Sequence, residues 1–261
     1  MKFNFRNKLA LVTASSKGIG YEIAKQLALN GAKVAISSRS KKNLVAARNK
    51  ILKEKKNVDC RYFLCDLSKL NQIDKLQKKV TKSFKSNIDI LVNNSGGPQV
   101  LTATKTKLKD WSFALNNNLL SSILMSQKVI PGMKKNKWGR IINLTSTTAK
   151  EPSPSLVLSN VTRAGVISFG KSLSYEVGIH GITVNSILTG GVLTDRIKSL
   201  IGKDKKKISR TLKKIANNIP VKRIANPDEF IQIILFLCSE NSSYINGSAI
   251  TVDGGVSKSI F

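Results

Sequence analysis

The segment Thr13-Ala14-Ser15-Ser16-Lys17-Gly18-Ile19-Gly20 has the residue types and spacing to hold a phosphate. It follows the apolar run Leu9-Ala10-Leu11-Val12 and precedes a helical pattern, which predicts a strand-to-helix turn. At such a turn the free N–H groups and the positive end of the helix dipole face an anion, and glycines let the backbone come close. A dinucleotide pyrophosphate is the ligand this chemistry suits. The adenosine end can be read by charge. Ile36-Ser37-Ser38-Arg39-Ser40 offers no acid to accept hydrogen bonds from the ribose hydroxyls. Arg39, flanked by Ser38, can instead pair with a 2′-phosphate, and Lys17 adds a second positive charge, so NADP(H) is expected over NAD(H).

Other chemistry is narrower. Cys60, Cys65 and Cys238 form no C-x-x-C pair, and with His180 as the single histidine no metal site is expected. The cysteines read as reduced thiols packed as small apolar residues, which suits a cytoplasmic protein. Ser159 and Arg163 stand one helical turn apart and share a helix face.

These residues need a scaffold, and the apolar patterning supplies one. Short β-branched runs at 9–14, 33–38, 60–65, 88–93, 139–145, 182–187 and 248–252 predict strands. Segments 18–30, 41–55, 69–86, 109–136, 155–178 and 227–239 carry apolar residues at helical spacing, with lysines on the other face. Sustained alternation predicts an α/β fold: a Rossmann-like, doubly wound parallel sheet of about seven strands with helices on both faces. No linker or repeat interrupts it, so residues 1–261 read as a single domain.

Two stretches depart from the pattern. Residues 159–190 carry only Arg163, Lys171 and Glu176 as charged groups, which predicts a helix buried on more than one face. Residues 192–219 are lysine-rich and loosely periodic, and read as a flap over the site or as a plain surface helix.

The chain has 44 basic and 15 acidic residues, a formal charge of +29. The lysines are dispersed over expected outer helix faces and loops, as on a solvated surface, and they also suit attraction of an anionic substrate. There is no basic stripe with interleaved aromatics, so nucleic acid is not the expected partner. No apolar run approaches the ~18 residues that cross a bilayer, so no membrane is expected either. The basic start, Met1 to Lys8, leads into a short apolar run and the phosphate loop, and so reads as the approach to the first strand.

Further segments complete a recognisable set: Asn93-Asn94-Ser95-Gly96, Gly139-Arg140-Ile141-Ile142-Asn143-Leu144-Thr145-Ser146, and Val252-Asp253-Gly254-Gly255. With the glycine loop they resemble the short-chain dehydrogenase/reductase family, from about residue 7 to about 256. Within it the likeness is nearest to 3-oxoacyl-acyl-carrier-protein reductases and sugar or polyol dehydrogenases. The resemblance implies a carbonyl-alcohol oxidoreductase on a small-molecule substrate, with the 155–178 helix packed against its copy in a homodimer or homotetramer. It implies that Asp66-Leu67 meets the adenine edge and that Asn94-Ser95-Gly96 lies beside the adenosine ribose. Thr189-Gly190-Gly191-Val192-Leu193-Thr194 replaces the family's Pro-Gly segment, with Val192 and Thr194 toward the nicotinamide carboxamide. Loss of that proline is expected to loosen the turn. The family opens its glycine loop with Thr-Gly, and Ala14 in the second position is expected to be accommodated at negative φ.

The resembled enzymes use an Asn, a Ser, and a Tyr-x-x-x-Lys pair. By alignment these fall on Asn118, Ser146, Ser159 and Arg163, so the Tyr-Lys pair has become Ser-Arg. A serine hydroxyl is too weak an acid to replace tyrosine, and arginine cannot shuttle protons. Three readings stand open. In the first the chain transfers hydride, with Arg163 as a fixed cation at the ribose and alkoxide and with the proton from water, Lys150 or Glu151. In the second it binds NADP(H) without turnover, as a sensor or partner subunit. In the third it is a basic scaffold on an inherited fold.

Overall fold

β-Branched runs that are apolar on both faces form strands only where helices cover both sides of the sheet, and that is how this chain is arranged. The structure, a computed structural model, describes residues 2–194, 197, 201, 202 and 204–260. The strands are Leu9–Val12 (β1), Lys33–Ser38 (β2), Cys60–Leu64 (β3), Ile90–Asn93 (β4), Gly139–Ser146 (β5), Ile182–Thr189 (β6) and Ala249–Val252 (β7). They form one parallel seven-stranded sheet in the order β3-β2-β1-β4-β5-β6-β7. The strand order reverses between β1 and β4, so a crevice opens beyond their carboxyl ends, where doubly wound sheets bind their ligands.

The pleat sorts side chains between two cores. From β1, Ala10 and Val12 join the core under Gly18–Leu29 (α1), Lys41–Glu54 (α2) and Pro227–Cys238 (α8). Leu9 and Leu11 join the core under Asn71–Phe84 (α3), Ser121–Asn136 (α5) and Val157–Val177 (α6). The three cysteines are buried, and burial pushes their thiols up, to about 12 for Cys60 and Cys238 and about 11 for Cys65. Such thiols stay protonated and unreactive. Among the described residues no helix is long and apolar enough to cross a membrane.

The predicted helix 109–136 is divided. Leu108–Ala114 (α4) runs into a π-helical stretch, Leu115–Leu120, and then into α5. The π-stretch carries Asn116, Asn117 and Asn118, and such widened turns gather at functional sites. In the 192–219 region, residues 195, 196, 198–200 and 203 lie outside the described residues. Lys205–Asn217 forms a helix (α7), started by Asp204, whose Oδ1 accepts from the backbone N–H of Lys206 and Lys207.

Candidate active site

The glycine loop occupies the turn from β1 to α1, at the reversal of strand order. Thr13 ties the two central strands together. Its backbone N–H and its hydroxyl donate to Val92 O and Asn94 O respectively, and its Oγ1 accepts from the Asn94 N–H at 2.9 Å. Ser15 is fully buried, donating to Val12 O and accepting from Ser37 N–H, so its side chain builds the loop from within. The Asn94 amide donates to Thr13 O and Ala14 O. Gly20 is required beneath this arrangement: a Cβ there would collide with the Asn94 amide and stand 2.9 Å from Ala14 O.

Ala14 departs from the sequence expectation. Its φ is +45°, in the left-handed region, where the family's glycine would sit without strain. The left-handed geometry costs an alanine ~1–2 kcal/mol, against roughly 0.5–1 kcal/mol of chain entropy for a glycine. Ala14→Gly is therefore expected to raise Tm by about 1–2 °C in thermal denaturation. Ala14→Val, β-branched at positive φ, is expected to lower it. A fall in Tm with glycine would count against strain at this position.

The loop suits a pyrophosphate. Gly18, at φ +60°, and Thr194 face each other across the turn, with 3.8 Å between the position of a Gly18 Cβ and Thr194 Cγ2. A Cβ on Gly96 would meet nothing within 4 Å, so the turn after β4 is open on that side. Ser16 and Ile19 are half-buried and Lys17 is exposed. Ser38, half-buried, ends β2, and Arg39 is exposed just beyond it. Asp66 accepts from the Ser68 N–H and hydroxyl through Oδ1, and Leu67 is buried in the core. The segment after β6, which lacks the family's proline, is held by backbone contacts. Val192 bridges to Ala225, Leu193 N–H donates to Ala225 O, and Gly190 N–H donates to Val252 O. Gly190 is needed there because Asp253 Cβ would lie 2.5 Å from its Cβ.

The four residues expected at the catalytic positions, Asn118, Ser146, Ser159 and Arg163, come from the π-stretch, the end of β5 and the first turns of α6. Asn118 is fully buried, and its amide donates to Ser95 Oγ at 2.8 Å and Gly96 O at 2.7 Å. Asn117, which precedes the aligned position and leaves its register open by one residue in the sequence, donates to the same Gly96 carbonyl at 3.1 Å and lies 3.3 Å from Asn118 Oδ1. The π-stretch thus clamps the Asn94-Ser95-Gly96 turn. Arg163 is 8% exposed; its Nη1 donates to Leu144 O at 2.6 Å and its Nη2 to Ser95 O at 3.5 Å. The guanidinium therefore bridges the β5 end and the turn after β4. Ser146 Oγ accepts from the Thr148 N–H at 3.2 Å and hydroxyl at 3.1 Å, and Ser159 Oγ lies 3.5 Å from Thr148 Oγ1.

Lys150 is half-buried at the end of the short turn Thr147–Ala149, its N–H bonded to Thr147 O. The side chain of its neighbour Glu151 is engaged elsewhere. Its Oε1 accepts from the backbone N–H groups of Lys258 and Ser259, tying the C-terminal segment to the loop after β5. Thr148 was findable only as a hydroxyl two residues beyond the aligned Ser146.

Comparison with known proteins agrees with this geometry. Residues 13–257 match the family described as enoyl-(acyl carrier protein) reductase. The 3-oxoacyl-(acyl-carrier-protein) reductase of Aquifex aeolicus is 33% identical over 256 residues, 98% of this chain and 100% of that protein. The corresponding protein of Chlamydia trachomatis is 36% identical over 251 residues, 96% of this chain and 97% of its own length. Among solved structures, L-sorbose reductase from Gluconobacter frateurii, complexed with NADPH and L-sorbose, superposes with a TM-score of 0.93 at 31% identity, covering 100% of both chains.

Proposed function

The chain belongs to the short-chain dehydrogenase/reductase family, oxidoreductases acting on the carbonyl-alcohol pair with NAD(P), and from that premise we propose that it is an NADP(H)-dependent carbonyl reductase whose catalytic site has been rebuilt around Arg163. The observation that carries the reading is the seat of that guanidinium, buried between Leu144 O and Ser95 O. A scaffold that only held adenosine would have no use for an ordered cation at the nicotinamide end. When bound, the cofactor supplies the hydride. Thr13 to Gly20 hold its pyrophosphate, Arg39 and Lys17 its 2′-phosphate, Asp66-Leu67 its adenine, and Asn94-Ser95-Gly96 its adenosine ribose. Gly190, Val192 and Thr194 face its carboxamide.

Arg163 holds the nicotinamide ribose and stabilises the negative charge that grows on the substrate oxygen, a fixed charge in a site screened from water. Ser146 orients that oxygen. Asn118 acts by clamping the turn against which the ribose lies. The substrate is a small carbonyl compound of the 3-oxoacyl, sugar or polyol type, with the lysine-rich α7 region favouring an anionic one. The relatives' names and the NADPH in the sorbose reductase complex support this choice. Reduced, buried thiols suit a cytoplasmic protein.

The outer side of α6 presents Val161, Ala164, Ser168 and Ser172 uncharged and exposed, and the exposed Leu108 and Phe113 lie on α4. On a chain this basic such a face suits a subunit contact, in a homodimer or homotetramer.

One experiment tests the reading. Purified protein is sized by light scattering at micromolar concentration, titrated with NADPH and NADH, and screened for NADPH oxidation against carbonyl compounds. Expected are two or four chains, tighter NADPH binding, and turnover with at least one carbonyl. Monomers would overturn the interface, and equal affinities the cofactor. Tight NADPH binding without turnover on any carbonyl would favour a sensor or partner subunit.

A further inference from the structure

The hydroxyls around Ser146 run in one direction. A serine or threonine hydroxyl has a single proton to donate. Thr148 donates its proton to Ser146 Oγ at 3.1 Å. The 3.5 Å contact between Thr148 Oγ1 and Ser159 Oγ admits either atom as donor, and with the Thr148 proton given to Ser146 the donor is Ser159. Ser146 Oγ also accepts the Thr148 N–H at 3.2 Å, so its acceptor sites are filled by Thr148, and among the described residues its own proton has no acceptor. That proton is left for a substrate oxygen. At the other end Ser159, half-buried in the first turn of α6, accepts at its Oγ from no described residue, which leaves it open to water. The contact at Ser159 is long, as catalytic hydrogen bonds often are before substrate is seated.

We propose that Thr148 is a positioning residue that joins Ser159 to Ser146 in a one-way hydroxyl chain, and that this chain brings a solvent proton to the reduced carbonyl in place of the missing tyrosine. The proposal rests on the carbonyl-reductase reading. In the step, the carbonyl carbon receives a hydride with its electron pair from the reduced nicotinamide, and the C=O π pair moves onto oxygen. That oxygen takes the Ser146 proton, Ser146 takes the Thr148 proton, Thr148 takes the Ser159 proton, and Ser159 is reprotonated by water. The products are the alcohol, the oxidised nicotinamide and a hydroxide released to solvent. No single group needs a pKa near neutrality. An alkoxide on substrate, serine or threonine has similar basicity, so each hand-off is nearly balanced, and the solvent end drives the chain. This is how three weak acids can do what one tuned tyrosine does.

The test compares Thr148→Val, which removes the hydroxyl at nearly constant volume, with Thr148→Ser, which keeps it. Thr148→Val is expected to lower kcat about 100-fold, the scale of general acid catalysis, while NADPH affinity by fluorescence titration stays within about twofold. Thr148→Ser is expected to recover most of the loss. The wild-type proton inventory in mixed H2O and D2O is expected to bow, because several protons move together. A wild-type kcat for Thr148→Val, or a linear inventory in the unaltered protein, would overturn the relay. Neutron diffraction of the D2O-exchanged protein reads the chain without turnover. Deuterium on Thr148 directed at Ser146, and on Ser159 directed at Thr148, is the expected result; either one reversed would overturn the proposal. If no carbonyl is reduced by the unaltered protein but the deuterium positions are as expected, the failure lies with the reductase reading and the hydroxyl chain stands.

Discussion

Replacing Arg163 by alanine is expected to lower turnover at least 100-fold, roughly the effect of removing one preorganised donor from a developing oxyanion. NADPH binding should weaken at the same time, by about tenfold, because a charge-assisted hydrogen bond to the ribose is worth ~1.5–3 kcal/mol. The buried guanidinium also satisfies Leu144 O, so its loss leaves a carbonyl unpaired and costs roughly 1–3 kcal/mol of stability. Arg163→Lys separates these effects. It keeps the charge while giving up the fork that spans Leu144 O and Ser95 O. Intermediate turnover with near-normal NADPH affinity is expected, read from initial rates and fluorescence titration. Wild-type turnover in Arg163→Ala would remove the guanidinium from the mechanism. The double replacement Ser159→Tyr with Arg163→Lys rebuilds the family's pair. Activity present only in that double variant would mean that the natural chain has given up the reaction.

Arg39→Asp is expected to invert cofactor preference. The variant loses a paired, charge-assisted contact and places a like charge against the 2′-phosphate, so NADPH affinity should fall about 100-fold or more. NADH affinity should hold or rise, since a carboxylate there accepts hydrogen bonds from the ribose hydroxyls. The chain carries +29, so a general field has to be separated from a local contact. Lys41→Asp makes the same charge change two residues on, at an exposed position in the first turn of α2. It is expected to weaken NADPH only slightly, and less at high salt, where exposed charges are screened. Equal losses in the two variants would make Arg39 one basic residue among many.

Much of this was legible in the linear chain. β1 has apolar residues on both faces, and α3 sets Ile73, Leu76 and Val80 at helical spacing, so each declares its own type and its buried side. The glycine loop was legible because a phosphate turn is built from consecutive residues. Ser159 and Arg163 were legible as a pair for the same reason: they lie within one stretch of helix.

What the chain order could not declare lies between residues far apart in it. The sequence alone accommodates Ala14 only at negative φ, but the turn is closed by Asn94, just beyond β4, and by Ser37 from β2, and these hold it in the left-handed region. The turn after β6 lacks its proline yet is pinned, because Ala225, beyond α7, supplies the bridge to Val192. Asn117 and Asn118 both reach Gly96 only because the π-stretch widens the helix beside it. Thr148 becomes a link only once α6 has packed against the end of β5 and brought Ser159 within 3.5 Å. By itself the sequence determined the elements, their order and the glycine-rich turn between β1 and α1, since hydrophobic period and turn chemistry are local properties. The tertiary structure decided which polar groups meet, because a hydrogen bond depends on separations of tenths of an ångström that arise only when the elements pack.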